Sequence, residues 1–341
     1  MRAVRILYVY SRRASFVEID LALLRERYEV REWGQPGRYA NPVAVGRAVQ
    51  HADLVFGWFA SWHTFWPFVF ARALRKPSIL VTGGFDTAAV PEINYGYQQG
   101  GITKRLATLI IESATTLVAN SAYSRDEVVR NVGIDPERVR VVYHGVPDLF
   151  GELPRTEREP VALTVANVAW LSVERKGLRP FVQAARLAPE VRFVLIGEWL
   201  DSAVGFLREL GGANVDYTGR VSDAELAAWY RRASVYVQAS RHEGFGMAVA
   251  ESMLAGCVPV VTKAGALPEV VDGVGVQLDR PDPEAIADAV RASLAAGADE
   301  RARARDHVLQ NFTLDSRREG LYAAVEAALS RRRRAARDPR A

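Results

Sequence analysis

The densest chemical signal in the chain is Ser240-Arg241-His242-Glu243-Gly244-Phe245-Gly246-Met247-Ala248-Val249-Ala250-Glu251, with the apolar run Val258-Pro259-Val260-Val261 close behind it. The pattern reads as strand, glycine loop, helix, strand. Gly244 and Gly246 let the backbone approach a ligand closely. A helix beginning near Gly246 would turn its unpaired amides and positive dipole end toward the loop, a natural seat for a diphosphate. Glu251 falls a little over one turn into that helix and Glu243 just before the loop, so two carboxylates can flank one bound molecule. Carboxylates suit hydroxyl-rich ligands because each accepts hydrogen bonds from two neighbouring hydroxyls. The plainer reading makes Glu243 a helix cap and Glu251 a solvated helix residue. Against it, Glu251 lies among Val249, Ala250 and Leu254, where an unpaired buried carboxylate costs several kcal/mol.

The elements that must position this loop belong to an α/β pattern. Val4 to Tyr10, Val55 to Trp58, Ser78 to Val81 and Thr116 to Val118 read as buried strands alternating with amphipathic stretches, the signature of a parallel sheet covered on both faces. One helix carries Val43, Val45, Ala48 and Val49. Another, Ile102 to Ala114, carries Leu106, Leu109 and Ile110. A second series begins at Val161 to Val165 and continues through Val191 to Ile196, Val215 to Thr218, Val235 to Val237 and Val258 to Val261. Between the two series, residues 151–160 are polar, bracketed by proline and without apolar periodicity, as a linker is. The expected organisation is a first domain over 1–150, the linker 151–160, a second domain over 161–312, a terminal helix over 313–330 returning to the first domain, and a basic tail over 331–341.

Bulk properties agree with a folded protein. At 341 residues the chain exceeds what one core usually fills, which favours two domains and a cleft. Hydrophobic residues at 49% and charged residues at 25% exclude disorder and a membrane bundle. Cys257 is the only cysteine, so no internal disulfide forms, and it reads as a small packing residue. The first ten residues pass straight into a strand, too short for a signal peptide, and a cytoplasmic protein is expected. Trp58 to Leu74 is aromatic but interrupted by Ser61, His63, Pro67 and Arg72, short of the roughly 20 apolar residues of a spanning helix. The net charge of +4 is modest and concentrates in Arg331 to Arg334, Arg337 and Arg340. That tail is a solvated end or a weak anchor to anionic lipid, raising peripheral contact with the inner membrane face.

The segment from Glu243 to Glu251 resembles the Glu-x7-Glu motif of the GT-B glycosyltransferases, specifically retaining family 4. Phe193 to Glu198, Tyr217 to Asp223, Ala264 to Val271 and Asp282 to Ile286 resemble the family's successive blocks in order, so the likeness covers roughly the second half of the chain. The resemblance implies two Rossmann-like, doubly wound domains facing a cleft. It implies that Glu243 holds the donor sugar, that Glu251 holds the nucleotide ribose, and that Gly244, Phe245, Gly246 and Met247 line the diphosphate and sugar with backbone. It also implies a lysine and an arginine that neutralise the leaving diphosphate. Lys176, before Gly177, fits the lysine. The arginine's usual places hold Leu171 and Trp170, and Arg175 is the substitute candidate. Glu198 and Arg220 stand in loops that shape donor choice. His144-Gly145, in the family-like block Val142 to Pro147, is expected to shape the cleft floor, either touching ligand or bracing the hinge. Asn120 and Ser121 read as a helix cap.

The first domain is expected to carry the acceptor side. Gly83-Gly84-Phe85-Asp86 follows a strand at the carboxyl edge, where such sheets bind ligands. Relatives often have a histidine near this point, so Asp86 is the candidate for positioning the acceptor hydroxyl, against a turn-holding role. His63 is a second catalytic candidate, against a polar edge on a buried aromatic helix. The loop Ser11 to Ser15 brings Arg12 and Arg13 to either an anionic acceptor or solvent. The expected activity is transfer of a hexose from a nucleotide-diphosphate sugar, with retention, to a hydroxyl of a glycan, small molecule or lipid-linked sugar. No Asp-x-Asp pair occurs, so metal independence is expected, with no cofactor beyond the donor and no nucleic-acid partner. The alternatives are a nucleotide-sugar epimerase on the same scaffold and a non-catalytic nucleotide-sugar or RNA-binding protein.

Overall fold

The β-branched runs form two separate six-stranded sheets in a computed structural model that describes residues 3–153 and 158–335. All the pairings within both sheets are parallel. The chain divides into two compact units, Met1–Gly145 with Leu314–Ala341, and Val146–Thr313.

The first unit holds β1 (Arg5–Tyr10), β2 (Glu29–Gly34), β3 (Leu54–Trp58), β4 (Ser78–Thr82), β5 (Thr116–Ala119) and β6 (Val139–Val141). Their spatial order is β2-β1-β3-β4-β5-β6. The chain steps from β1 outward to β2 and then returns to the other side at β3, so the winding reverses between β1 and β3. Such reversals leave a crevice at the carboxyl ends of the strands. β3, β4 and β5 are buried at every position, as strands covered on both faces must be. The helices Pro42–His51 and Gly101–Ser113 bury Val45, Ala48 and Val49, and Leu106, Ala107, Ile110 and Ile111. Val43 and Leu109, expected on those apolar faces, are 63% and 40% exposed and lie outside the buried stripe.

The aromatic stretch after Trp58 becomes the helix Trp62–Ala73, whose Phe68 and Ala71 are fully buried. Among the described residues no helix is long and apolar enough to cross a membrane. The helix Leu314–Ala335 belongs to this unit and places Leu321, Ala324, Val325 and Ala328 in one core with Ile6, Tyr8, Leu21 and Phe56. Burial of Leu321 and Val325 contributes roughly 1.5–3 kcal/mol each. The expected basic tail begins inside this helix, which covers residues 331–335, and residues 336–341 are outside the described residues.

The second unit holds β7 (Glu159–Val165), β8 (Arg192–Ile196), β9 (Val215–Gly219), β10 (Ala233–Gln238), β11 (Val258–Thr262) and β12 (Val276–Leu278), ordered β12-β11-β10-β7-β8-β9. Here the winding reverses between β7 and β10. Two boundaries differ from the sequence expectation. Val146 to Phe150 join the second unit, where Val146 N donates to Phe312 O at 2.8 Å. The expected linker over 151–160 also ends in the sheet, because β7 starts at Glu159; residues 154–157 lie outside the described residues. Arg158, read as linker, is tied to the carbonyls of Tyr230, Ala233 and Ala255 beside the buried Cys257. The strands that sequence patterning missed, β2, β6 and β12, are all sheet edges. An edge strand has one neighbour and need not be apolar throughout, and Glu29–Gly34 consists of exposed and half-buried residues with none fully buried.

Candidate functional site

In the second unit the chain leaves β10 into a loop whose course is set by two close approaches. A Cβ on Gly177 would meet Ala239 O at 1.9 Å, and one on Gly265 would meet Glu243 O at 2.1 Å, with both glycines at positive φ. Only glycine lets these backbones touch. The contacts are closed by hydrogen bonds from Arg241 N to Arg175 O, 2.8 Å, and from Ala266 N to Glu243 O, 2.9 Å. The loop after β7 and the loop after β10 are thereby laced together at the crevice where the winding reverses.

This lacing sets Lys176 against Glu243. Lys176 ends the short helix Trp170–Arg175, and its Nζ lies 2.5 Å from Glu243 Oε2, with the two side chains 20% and 14% exposed. Burial pushes the Glu243 carboxyl up, but Lys176 and Arg175 outweigh it and hold the group below its ordinary range, so it is ionised at neutral pH. Behind it runs a hydrogen-bonded relay: Tyr236 Oη donates to Gln238 Oε1 at 2.9 Å, Gln238 Nε2 to Ser240 Oγ at 2.7 Å, and Ser240 Oγ to Glu243 Oε2 at 3.3 Å. Such a chain fixes the carboxylate's rotamer.

Gly246, at φ +107°, turns the chain into the helix Met247–Leu254. Phe245 is buried edge-on against Phe312, with centroids 5.1 Å apart, so only its backbone can serve a ligand. Met247 is half-buried. Glu251, in the second turn, accepts Tyr230 Oη at 3.2 Å. Burial raises its carboxyl to about 7, against the lowering effect of the Tyr230 hydroxyl. Glu198 and Arg220 follow β8 and β9 on the same sheet edge, with 3.9 Å between Arg220 Nη1 and Glu198 Oε2. At 80% and 49% exposure that pair contributes little. Trp170 and Leu171, in the places where the family resemblance implies an arginine, are 52% and 64% exposed.

The remaining expected site residues belong to the first unit, and their partners are structural. Asp86 is fully buried; its Oδ2 accepts Ala60 N at 3.0 Å and its Oδ1 accepts Gly83 N at 3.2 Å. Burial lifts its carboxyl to about 7. It holds the turn, so the acceptor contact weighed for it is replaced by a backbone role. His63 is 4% exposed and its Nε2 donates to Trp58 O at 2.7 Å. Burial lowers the imidazole to about 4, so it is neutral and pins the end of β3 rather than facing an acceptor. His144 is 5% exposed and stacks on Trp58, with centroids 5.8 Å apart and planes 4° apart. Burial, and then the charge of Arg317, hold it well below its ordinary value. Ser121 caps the helix Ala122–Val132 through Ser124 N.

Several participants carry no local signature. Tyr230, the partner of Glu251, is 21 residues away on another helix. In the first unit the Arg317 guanidinium donates Nε and Nη2 to the two carboxylate oxygens of Asp20 at 2.8 and 2.7 Å, across 297 residues of sequence. Gly265 was readable as part of Ala264-Gly265-Ala266, but its contact was not.

Two doubly wound parallel sheets, with a polar, glycine-shaped crevice in the second, define the GT-B class of two Rossmann-like domains. The comparisons agree. Residues 4–148 match the family described as "Glycosyltransferase Family 4" and residues 159–296 match "Glycosyl transferases group 1". The chain belongs to this glycosyltransferase family. It is 32% identical to the D-inositol 3-phosphate glycosyltransferase of Streptomyces griseus over 67% of this chain and 57% of that one. It is 30% identical to the O-antigen chain mannosyltransferase B of Escherichia coli over 54% of this chain and 52% of the relative. The chain spans about half the length of curated relatives it matches, 52%, 51% and 52% in three cases. Among solved structures, Anabaena HepE in complex with UDP superposes with a TM-score of 0.78 at 16% identity, covering 96% of this chain and 100% of that one. Sucrose-phosphate synthase of Thermosynechococcus elongatus gives 0.75 at 18%, covering 96% and 100%. At these identities the likeness is one of fold.

Proposed function

We propose that the chain transfers a hexosyl group from a nucleotide-diphosphate sugar to an acceptor hydroxyl, with retention of configuration at the anomeric carbon. The observation that carries this reading is the Lys176–Glu243 pair, held by glycine-dependent contacts in the same crevice as the loop 244–247. Glu243 is ionised and fixed, suited to accept hydrogen bonds from sugar hydroxyls. Lys176 supplies the positive charge that a departing diphosphate requires, and the helix after Gly246 adds its dipole. Glu251, with one oxygen engaged by Tyr230, accepts the ribose hydroxyls. The acceptor attacks the face that the diphosphate leaves: the carbon–oxygen bond to the acceptor forms as the bond to the diphosphate breaks, and a phosphate oxygen takes the hydroxyl proton. With the leaving charge neutralised by Lys176, the reaction proceeds without a divalent cation.

The test is a panel of UDP-, GDP- and ADP-sugars, read by thermal shift, by nucleotide release and by NMR of the product anomer, with and without chelator. The expected result is a shift with one donor, chelator-resistant release and a retained anomer. An inverted anomer refutes retention, and unchanged donor binding in Glu251→Ala removes the ribose role.

A further inference from the structure

The helix Trp62–Ala73 of the first unit is apolar on its outer side as well as its inner one. His63, Thr64, Pro67, Phe68 and Ala71 are buried against the unit. At about 3.6 residues per turn, Trp62, Phe65, Trp66, Val69, Phe70 and Ala73 fall on the opposite half of the helix. Ala73 is exposed and the other five are half-buried. A surface helix carries polar and charged residues on that side, and a helix that is apolar all round is normally covered. Here the cover is partial. The helices Pro42–His51 and Gly101–Ser113 flank it, and a Cβ on Gly46 of the first would lie 3.9 Å from the Phe70 ring. The outer rings meet one another along the surface, Phe65 to Trp66 at 5.0 Å and Trp66 to Phe70 at 5.6 Å between centroids. Tyr39 and Leu74 are exposed as well.

The charge around this stripe has one sign. Residues 35–76 contain Arg38, Arg47, Arg72, Arg75 and Lys76 against a single carboxylate, Asp53, which Arg5 binds at 3.1 Å. Lys76 donates to the carbonyls of Gln50 and Ala52 at 3.1 and 2.7 Å. The four arginines are exposed and form no ion pair among the described residues. Two of them border the stripe: the Arg38 guanidinium lies 5.8 Å from the centre of the Trp62 ring, and Arg72 follows Phe65 by two helical turns. A second copy of the chain, docked through the same face, would set these cations against one another across a twofold axis. An anionic bilayer surface takes both components, the indoles at headgroup depth and the cations against lipid phosphates.

We propose that this face attaches the protein to an anionic lipid bilayer, with the helix Trp62–Ala73 lying in the headgroup layer. Trp62, Phe65, Trp66 and Phe70 enter the interface, and Arg38, Arg72 and Arg75 pair with lipid phosphates around them. The attachment does not run through the basic tail. The helix that leads into the tail shares a core with Ile6, Tyr8 and Phe56, whereas Phe68 and Ala71 share theirs with Leu7, Val9 and Val55, on the other face of the same sheet. It is also independent of the donor reading, since a lipid surface needs no nucleotide.

The experiment floats the full chain with vesicles of phosphatidylcholine alone and of phosphatidylcholine with phosphatidylglycerol in equal parts, without nucleotide. Binding to the anionic vesicles is expected to be at least about tenfold tighter and to weaken as salt is added. Brominated lipid is expected to quench the tryptophan fluorescence of the bound protein, and Trp66→Ser to lose binding together with most of that quenching. Arg72→Gln with Arg75→Gln, at two exposed positions, is expected to weaken binding by at least about tenfold at an unchanged melting temperature, which separates attachment from folding. Replacing Arg331 to Arg334 by glutamine is expected to leave binding in place. Four results overturn the proposal: no binding to anionic vesicles, equal binding to both kinds, binding that survives the Arg72 and Arg75 changes, or binding lost with the tail arginines alone. A dimer in sedimentation equilibrium that Trp66→Ser dissociates, with no vesicle binding, gives the face to a second copy instead.

Discussion

Two ion pairs, one from each unit, differ in what they leave open. Asp20 and Arg317 in the first unit are 1% and 0% exposed, meet through two parallel hydrogen bonds, and lie where Arg317 also donates to the carbonyl of Val142. Every strong bond of that guanidinium is spent on the protein, and the pair fastens the terminal helix. Lys176 and Glu243 in the second unit keep 20% and 14% of their side chains in solvent, at the carboxyl edge of a sheet. Their attraction holds a geometry, but either partner can turn to a ligand without unfolding anything. A sealed pair is an element of stability; the same chemistry at a rim is, in the function we propose, open to a donor.

This contrast can be broken by experiment, beginning with the largest expected effect. Arg317→Met should leave Asp20 buried and unpaired, destabilising the chain by about 3–5 kcal/mol in denaturant titration while nucleotide affinity of the folded protein is kept. If the loss were below about 1 kcal/mol, the pair would not be the fastening described. Lys176→Met should act the opposite way, lowering turnover by about 10²–10³-fold, the range for removing one group that stabilises leaving charge, with a smaller change in melting temperature. A mutant that retains turnover but melts early would reverse the two roles.

Smaller effects sharpen the same comparison. Gly265→Ala puts a Cβ 2.1 Å from Glu243 O at a φ of +64°, so it should cost about 1–3 kcal/mol and reduce donor affinity through the displaced Glu243. An unaffected donor affinity would detach Gly265 from the site. The smallest effect concerns pH. Burial raises the Glu251 carboxyl from 4.5 to about 7 in the folded protein, so the native state retains a proton that the unfolded chain releases. The stability contribution of this group therefore falls as pH rises from 4.5 to 7. Ribose binding to the ionised carboxylate should weaken by about tenfold per pH unit below 7. Glu251→Gln should flatten that profile, and a profile that persists in the variant would place the titration elsewhere.

The legible and illegible parts of the site divide along the same line. Glu243, the glycine loop and Glu251 were readable because nine residues of local geometry suffice to place them around a helix start. The eight central strand runs were readable because burial on both faces demands apolar residues, and the edge strand Val215–Gly219 was readable from its β-branched and aromatic run. Other edge strands, such as Glu29–Gly34, were not, since half-exposure removes that demand. Asp86 and His63 showed as polar residues near strand ends, but their roles depend on which backbone groups face them, Gly83 N and Ala60 N for one and Trp58 O for the other. Composition cannot supply that information.

By itself, then, the sequence determined the two-sheet architecture, the family and the carboxylates of the glycine loop, all consequences of periodicity and short spacing. Only the tertiary structure decided that Lys176 faces Glu243 across 67 residues, that Tyr230 engages Glu251, and that Arg13 is engaged while Arg12 is exposed. The reason is physical: an element's type follows from neighbours along the chain, whereas a side chain's charge state and partner follow from neighbours that only winding brings near.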